Sequence, residues 1–184
     1  MAVERINKKN IRIAGKIHSI NISRKKGGKK SPVKNAVISE FGIEGDGHSG
    51  NWHRQVSLLS YESISEFNKK GNILAKPGDF AENITTEGID IKKLKIGDIL
   101  LLSENIQKII ISENNQTNYN NLNNATKDSV ILKVTQLGKE CKKPCRIYYQ
   151  AGSCIMPEEG IFCRVVKTGS IKVGCNIFIF RGEY

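Results

Sequence analysis

The stretch GIFCRVVKTGSIKVGCNIFIF, residues Gly160–Phe180, decides what fold to expect. It is rich in Ile, Val and Phe, and its glycines divide it into short runs. Short β-branched and aromatic runs separated by turn residues are typical of strands joined by tight connections. We therefore predict two or three strands at this end of the chain, with Cys163 and Cys175 packed in the core.

Strand patterns recur on the N-terminal side of this stretch. IRIAGKIHSINIS, Ile11–Ser23, alternates apolar and polar residues, which predicts a half-buried strand. The next segment, RKKGGKK at Arg24–Lys30, has two glycines and five cations and predicts a loop or hairpin tip. Further short strands are predicted in NAVISEF, QVSLLS, VILKVTQLG and within Pro77–Ser103.

A clear helical pattern is found in YESISEFNKKG, Tyr61–Gly71. Ser60 can cap the N-terminus of this helix, and Gly71 stands where a helix ends. Ile64 and Phe67 form one apolar stripe. Many short strands, one helix and frequent glycine turns predict a mainly-β domain, a closed or partly open barrel or a sandwich. The sequence has no βαβ alternation and no glycine-rich phosphate-binding motif, which disfavours a nucleotide-binding α/β enzyme.

The predicted domain covers residues 11–184 and follows a flexible tail, residues 1–10. An asparagine-rich insertion at about 112–128 interrupts the domain, because this segment has too few apolar residues to fold by itself. The N-terminus lacks the apolar segment of a signal peptide, and no run approaches the roughly 18 apolar residues of a membrane span. We therefore expect a cytoplasmic protein without a membrane partner.

The net charge of +11 favours an anionic partner, such as nucleic acid or a phosphorylated small molecule. A lysine-rich composition alone would also explain this charge. Nucleic acid is the less favoured partner, because the basic segment RKKGGKK has no interleaved aromatic residues for base stacking. The sequence does not determine the oligomeric state.

Two cysteines lie four residues apart in GKECKKPCRIY, Gly138–Tyr148. The total of five cysteines is odd, which disfavours a disulfide framework in a reducing compartment. A zinc site would lack a second cysteine pair at the usual spacing. Cys145 follows a proline and has cations on both sides, and positive charge favours the thiolate, the form that attacks or binds metals. An unreactive thiol in a lysine-rich loop remains the alternative. The cations around Cys145 are Lys142, Lys143 and Arg146.

Two polar, glycine-containing loops supply further candidate residues. In EGDGHSGNWHRQV, backbone N–H groups together with Asp46, His48 and Arg54 can bind an anion, or the glycines can simply allow a turn. In PGDFAEN, Glu82 and Asn83 can hydrogen-bond to a heterocycle or fix the neighbouring loop. His48 and the nearby His53 are too few to indicate a metal site by themselves.

The blocks EGDGHSG…HRQV, PGDFAEN, KKPC and GIFCRVVKTG, in this order, resemble the MOSC domain. This is the C-terminal domain type of molybdenum cofactor sulfurases, and GKEC and CIMPEEGIF are similar to its short stand-alone bacterial form. The resemblance implies a barrel-like fold and a pocket for the molybdenum cofactor, a pterin with a phosphate and a dithiolene. It implies that Cys145 carries sulfur or ligates molybdenum, with Cys141 as a resolving or second sulfur site. The cofactor-binding candidates are Asp46, His48, His53, Arg54, Glu82, Asn83, Lys143, Arg146 and Arg164.

The chain departs from the short form at two positions. Lys142 replaces a usual histidine, which puts an imidazole–thiol partnership in question, and Cys175 replaces a usual aspartate. The function implied is sulfur transfer or molybdenum ligation during molybdoenzyme maturation, with a sulfur-donor desulfurase or an acceptor molybdoenzyme as partner. Whether the chain is an enzyme, a sulfurtransferase, stays open. The alternatives are a non-catalytic carrier or scaffold and a cofactor-dependent reductase of N-hydroxylated compounds. Pyridoxal phosphate binding is a family association only, and no site for it is expected here.

Overall fold

The computed structural model describes residues 5–6, 12–26, 29–70, 73–104, 117–118, 129–141 and 146–180. Within these ranges, seven strands hydrogen-bond side by side into a closed barrel. Strands are numbered in chain order. Around the barrel they are β13 (Asn176–Phe180), β8 (Ile99–Ser103), β10 (Val130–Leu137), β11 (Ile161–Lys167), β6 (Val56–Ser60), β7 (Ile84–Glu87) and β2 (Arg12–Ile22), which pairs again with β13. The predicted mainly-β barrel is therefore confirmed.

The remaining strands flank this barrel. β3 (Ser31–Val33) pairs antiparallel with the end of β2, so the described residues of the basic segment, 24–26 and 29–30, lie in the connection between these two strands, as predicted. A separate sheet contains β4 (Asn35–Ser39), β5 (Gly42–Ile43) and β12 (Gly169–Lys172). β1 (Arg5–Ile6) pairs with β9 (Thr117–Asn118). Apart from these two short strands, the expected tail at 1–10 and insertion at 112–128 lie outside the described residues.

The predicted helix is α1 (Tyr61–Lys70). The Ser63 N–H donates to the Ser60 hydroxyl at 3.0 Å, which confirms the predicted N-cap, and Ile64 and Phe67 are buried. The expected stop at Gly71 lies outside the described residues. The sequence pattern missed α2 (Arg146–Ala151), α3 (Met156–Glu159) and a 3₁₀ turn at Ile91–Lys93, because elements this short do not establish a helical period.

The helix α1 connects β6 to β7, and these two strands are parallel. The other strand pairs among the described residues are antiparallel, so a single crossover of this kind leaves no alternating βαβ pattern in the sequence. As a consequence, β6 and β7 begin at the same end of the barrel, where the antiparallel β2 finishes. The loops before β6 and β7 and the hairpin after β2 therefore meet at this end.

Alternate side chains on the barrel strands pack on opposite faces. Leu100 and Leu102 belong to the main core, whereas Leu101, Ile131 and Phe178 form a second apolar cluster. The predicted burial of Cys163 and Cys175 is confirmed. None of the helices in the described ranges has the length and apolar character needed to cross a membrane.

Candidate functional site

A cavity of about 220 Å³ opens where the three loops meet at the barrel end. The described residues of its wall include four lysines, one histidine and two serines, and their apolar surface comes from Ala81, Met156 and Phe162. No carboxylate is among the described residues that line it. We call this cavity the cationic pocket. Its polar lining residues are Ser23, Lys25, Lys26, Lys30, His48, Ser57 and Lys139.

Lys30 is held in the pocket wall by the buried carboxylate of Asp46. The Lys30 Nζ lies 2.6 Å from both Asp46 oxygens, and the two side chains are only 5% and 1% exposed. Burial raises the pKa of Asp46, but hydrogen bonds from Lys30, Asn83 and the Ser23 N–H outweigh it, so its pKa lies below the ordinary value. Burial lowers the pKa of Lys30, and the hydrogen bond and negative charge of Asp46 offset only part of this effect. Asp46 therefore positions a cation.

Asn83 extends this buried network to Ser57, another residue that lines the pocket. Its Nδ2 donates to Asp46 Oδ2 at 2.9 Å, and its Oδ1 accepts from the Ser57 hydroxyl at 2.9 Å. The Asn83 N–H donates to the Ser57 carbonyl at 2.9 Å. Both polar atoms of the amide are thus satisfied by the protein, and Asn83 holds Ser57 and Lys30 in fixed relative positions. A direct contact of Asp46 or Asn83 with a ligand stays a prediction.

Glu82 stabilises the turn that forms another part of the rim. Its Oε1 accepts from the Gly78 N–H at 2.5 Å and the Thr85 hydroxyl at 2.8 Å. Its other oxygen, Oε2, is buried and has no hydrogen-bond partner in the described part of the chain. Burial raises the pKa of Glu82. The turn places Ala81 at φ 64°, a left-handed conformation that is rare for residues other than glycine.

His48, Trp52 and Arg54 form a ring cluster at the edge of the pocket. The ring centroids of His48 and Trp52 are 4.4 Å apart, and the Arg54 guanidinium lies 4.8 Å from the Trp52 ring centroid. Arg54 also lies 5.8 Å from the ring centroid of Phe162. Burial and the nearby cations Lys30, Lys139 and Arg54 lower the pKa of His48 to about 4, so its imidazole is neutral at pH 7.

Three further predicted residues, His53, Arg164 and Arg146, are not among the described residues that line this pocket. His53 is exposed, and its Nε2 lies 2.9 Å from Gln136 Oε1. Arg164 is exposed on β11, opposite Lys133 of β10. Arg146, the first residue of α2, donates to Asp79 Oδ1 at 3.0 Å in a neighbouring groove. Their roles in cofactor binding stay predictions.

The predicted cysteine pair is only partly described. Cys141 is exposed and follows Lys139 of the pocket wall by two residues. Lys143 and Cys145 lie outside the described residues, so their predicted roles are not tested by the structure. Buried Cys163 has a raised pKa because of its burial, which makes it a poor nucleophile.

Sequence reasoning missed four lysines of the pocket: Lys25, Lys26, Lys30 and Lys139. The first three were recognised only as hairpin charge, because their place at the site depends on a contact between distant loops. Gly47 provides that contact: its N–H donates to the Ser23 carbonyl at 2.6 Å. A Cβ at Gly47 would lie only 2.7 Å from backbone atoms of Lys25 and Lys26.

The pocket chemistry fits a phosphorylated heterocycle. Lysines and hydroxyls suit phosphate oxygens, and the apolar surface of Met156 and Phe162 suits a ring. The buried Nε of Arg54 has no hydrogen-bond partner among the described residues, so a donor remains at the pocket edge. The volume is below the roughly 300–1,000 Å³ of most small-molecule pockets, so the described walls suit a phosphate and part of a ring. No group of three or more His, Cys, Asp or Glu in the described ranges is arranged to hold a metal ion.

Comparisons with known proteins agree with this architecture. The sequence model of the MOSC domain matches residues 45–178. No curated protein matches the chain. The fold is similar to YuaD from Bacillus subtilis, with a TM-score of 0.67 and 17% identity over 92% of this chain and 97% of that one. It is also similar to YiiM from Geobacillus stearothermophilus, with a TM-score of 0.59 and 17% identity over 93% and 75% of the two chains. At these identities the structural likeness shows the fold alone.

Proposed function

Because the chain belongs to the MOSC domain family, which is associated with molybdenum cofactor binding and sulfur transfer, we propose that it binds this cofactor and handles sulfur through a cysteine thiolate. The observation that carries the proposal is the cationic pocket with its apolar surface, two residues from an exposed cysteine in sequence. Cys145 is the proposed sulfur carrier or molybdenum ligand, and Cys141 is the proposed second sulfur site.

In this proposal the lysines hold the phosphate of the cofactor. Lys25, Lys26 and Lys139 supply charge-assisted hydrogen bonds, which are stronger than neutral ones. Lys30 supplies a further cation, and its side chain is held in one position by the ion pair with Asp46. Phe162 and Met156 exclude water from one side of the ring. When bound, the cofactor supplies the molybdenum and its dithiolene sulfurs.

Sulfur loading of Cys145 needs a thiolate and a partner persulfide. The thiolate attacks the outer sulfur of the donor persulfide, a new S–S bond forms, and the donor cysteine leaves as a thiolate. Nearby cations favour this step, because they stabilise the attacking thiolate. In this proposal the sulfur donor is a partner protein. The proposed partners are therefore a desulfurase and an acceptor molybdoenzyme.

The test compares the native protein with Cys145→Ser, Cys141→Ser and, as a control, Cys154→Ser. Each is incubated with a desulfurase and cysteine, and the mass of the intact protein is measured under non-reducing conditions. We expect one added sulfur atom in the native protein and the control, and none in Cys145→Ser. Equal sulfur loading of all variants would refute the role of Cys145. Cofactor binding without any sulfur loading would favour the non-catalytic carrier.

A further inference from the structure

A second concave surface includes Asp79, two residues before Ala81 of the cationic pocket. This groove has a volume of about 450 Å³, and its apolar part comes from Ile73, Leu74, Ala75 and Ile147. Adjacent residues line the two sites: Lys29 lines the groove and Lys30 lines the cationic pocket. From its charge and apolar content, we infer that the groove is a docking site for an acidic segment of a partner protein that carries aliphatic side chains.

The apolar part of the groove is held in a fixed conformation. Asn68 of α1 donates from Nδ2 to the Ala75 carbonyl at 2.8 Å and accepts from the Ala75 N–H at 2.8 Å. Leu74, next to this pair of hydrogen bonds, is 76% exposed. A large exposed aliphatic side chain next to a fixed backbone can contact a partner while little conformational entropy of the groove is lost on binding.

The charge of the groove determines the class of partner. The described residues that line it include three cations, Lys29, Lys76 and Arg146, and one carboxylate, that of Asp79. Asp79 is only 10% exposed and is already engaged by Arg146 at 3.0 Å and Lys29 at 3.7 Å. The exposed face of the groove is therefore cationic, which steers and selects acidic segments. Aliphatic residues within that segment would pack on Leu74.

This inference goes beyond the proposed function and does not depend on it. The groove would bind its partner whether or not the cationic pocket holds a cofactor. Its position matters to that function, because a partner docked beside Lys29 and Asp79 lies next to the pocket rim at Lys30 and Ala81.

The test uses a fluorescein-labelled acidic peptide that carries leucines among its glutamates and aspartates. Binding to the whole protein is measured by fluorescence anisotropy. The variant Leu74→Ser/Lys76→Glu changes one exposed aliphatic residue and one lysine of the groove. The control Ile96→Ser/Lys95→Glu makes the same chemical changes at Ile96, which is 56% exposed, and at the adjacent exposed Lys95. Neither control residue lines the groove or the cationic pocket.

We expect the groove variant to weaken peptide binding at least about tenfold and the control to leave it unchanged. Replacing the leucines of the peptide by serine should weaken binding to the native protein by a similar factor. Equal binding to both variants, equal binding of the serine peptide, or no saturable binding up to about 1 mM would overturn the proposal. The proposal would also be overturned if the peptide does not bind and the protein instead binds anionic vesicles or dimerises, and Leu74→Ser/Lys76→Glu abolishes that vesicle binding or dimerisation.

Discussion

Replacement of Asp46 by Asn tests the buried network beneath the cationic pocket. The carboxylate contacts Lys30 through two oxygens at 2.6 Å, and both side chains are almost fully buried. Asp46→Asn would leave the Lys30 cation buried without a counter-charge. Removal of one partner of a buried ion pair typically costs about 3–5 kcal/mol. We therefore expect the free energy of unfolding to fall by about that amount.

The assay is urea unfolding followed by the fluorescence of Trp52, the single tryptophan. The double variant Lys30→Met/Asp46→Asn should recover much of the loss, because it removes the unpaired charge. The control is Glu66→Gln, which breaks the exposed Lys70–Glu66 pair on α1 and should produce no measurable change. A loss below about 1 kcal/mol for Asp46→Asn, or a double variant less stable than either single one, would refute the reasoning.

Three further predictions concern the pocket walls. His48→Gln should flatten the pH dependence of stability between about pH 6.5 and 4. In the native protein the folded state, with a His48 pKa of about 4, binds fewer protons in this window than the unfolded state, so stability falls as the pH falls. Equal shifts of the urea midpoint with pH in both proteins would contradict this. Gly47→Ala should weaken phosphate binding measured by calorimetry, because a Cβ there would collide with the backbone of Lys25 and Lys26, and unchanged affinity would argue against the loop contact. Ala81 has a φ of 64°, which strains residues that carry a Cβ. Ala81→Gly should therefore leave the free energy of unfolding unchanged or raise it by up to about 1 kcal/mol, whereas Ala81→Val should lower it. The reverse order of stability in urea unfolding would exclude backbone strain at this position.

Local sequence patterns were sufficient to predict most elements of the fold. Runs of β-branched residues marked the strands, and Ser60 with Ile64 and Phe67 marked the helix. Closure of the barrel could not be predicted in this way, because it depends on pairing β2 with β13 across almost the whole chain. The parallel β6–β7 pair could not be predicted either, because its crossover through α1 occurs once and leaves no alternating βαβ pattern in the sequence.

The candidate site was predictable where polar residues sit in glycine-containing loops. Asp46, His48 and Asn83 were found for this reason, but the structure gives Asp46 and Asn83 protein partners in the interior. The importance of Lys30 could not be seen in the sequence, because it follows from burial against a carboxylate 16 residues away. The sequence likewise does not show which face of β11 carries Arg164, because this depends on how the strand is placed in the barrel. In the structure Arg164 is exposed.

The most direct measurement of the central claim is retention of the molybdenum cofactor by the pocket lysines. Cofactor released from a molybdoenzyme is mixed with native protein, with Lys25→Gln/Lys26→Gln, and with the control Lys69→Gln/Lys70→Gln at the end of α1, and the protein-bound pterin is quantified after desalting. We predict that the pocket variant retains at least about tenfold less cofactor at equal free concentration, which corresponds to about 1.4 kcal/mol, while the control retains as much as native protein. Equal retention by all three proteins would contradict the assignment of the cationic pocket as the cofactor site.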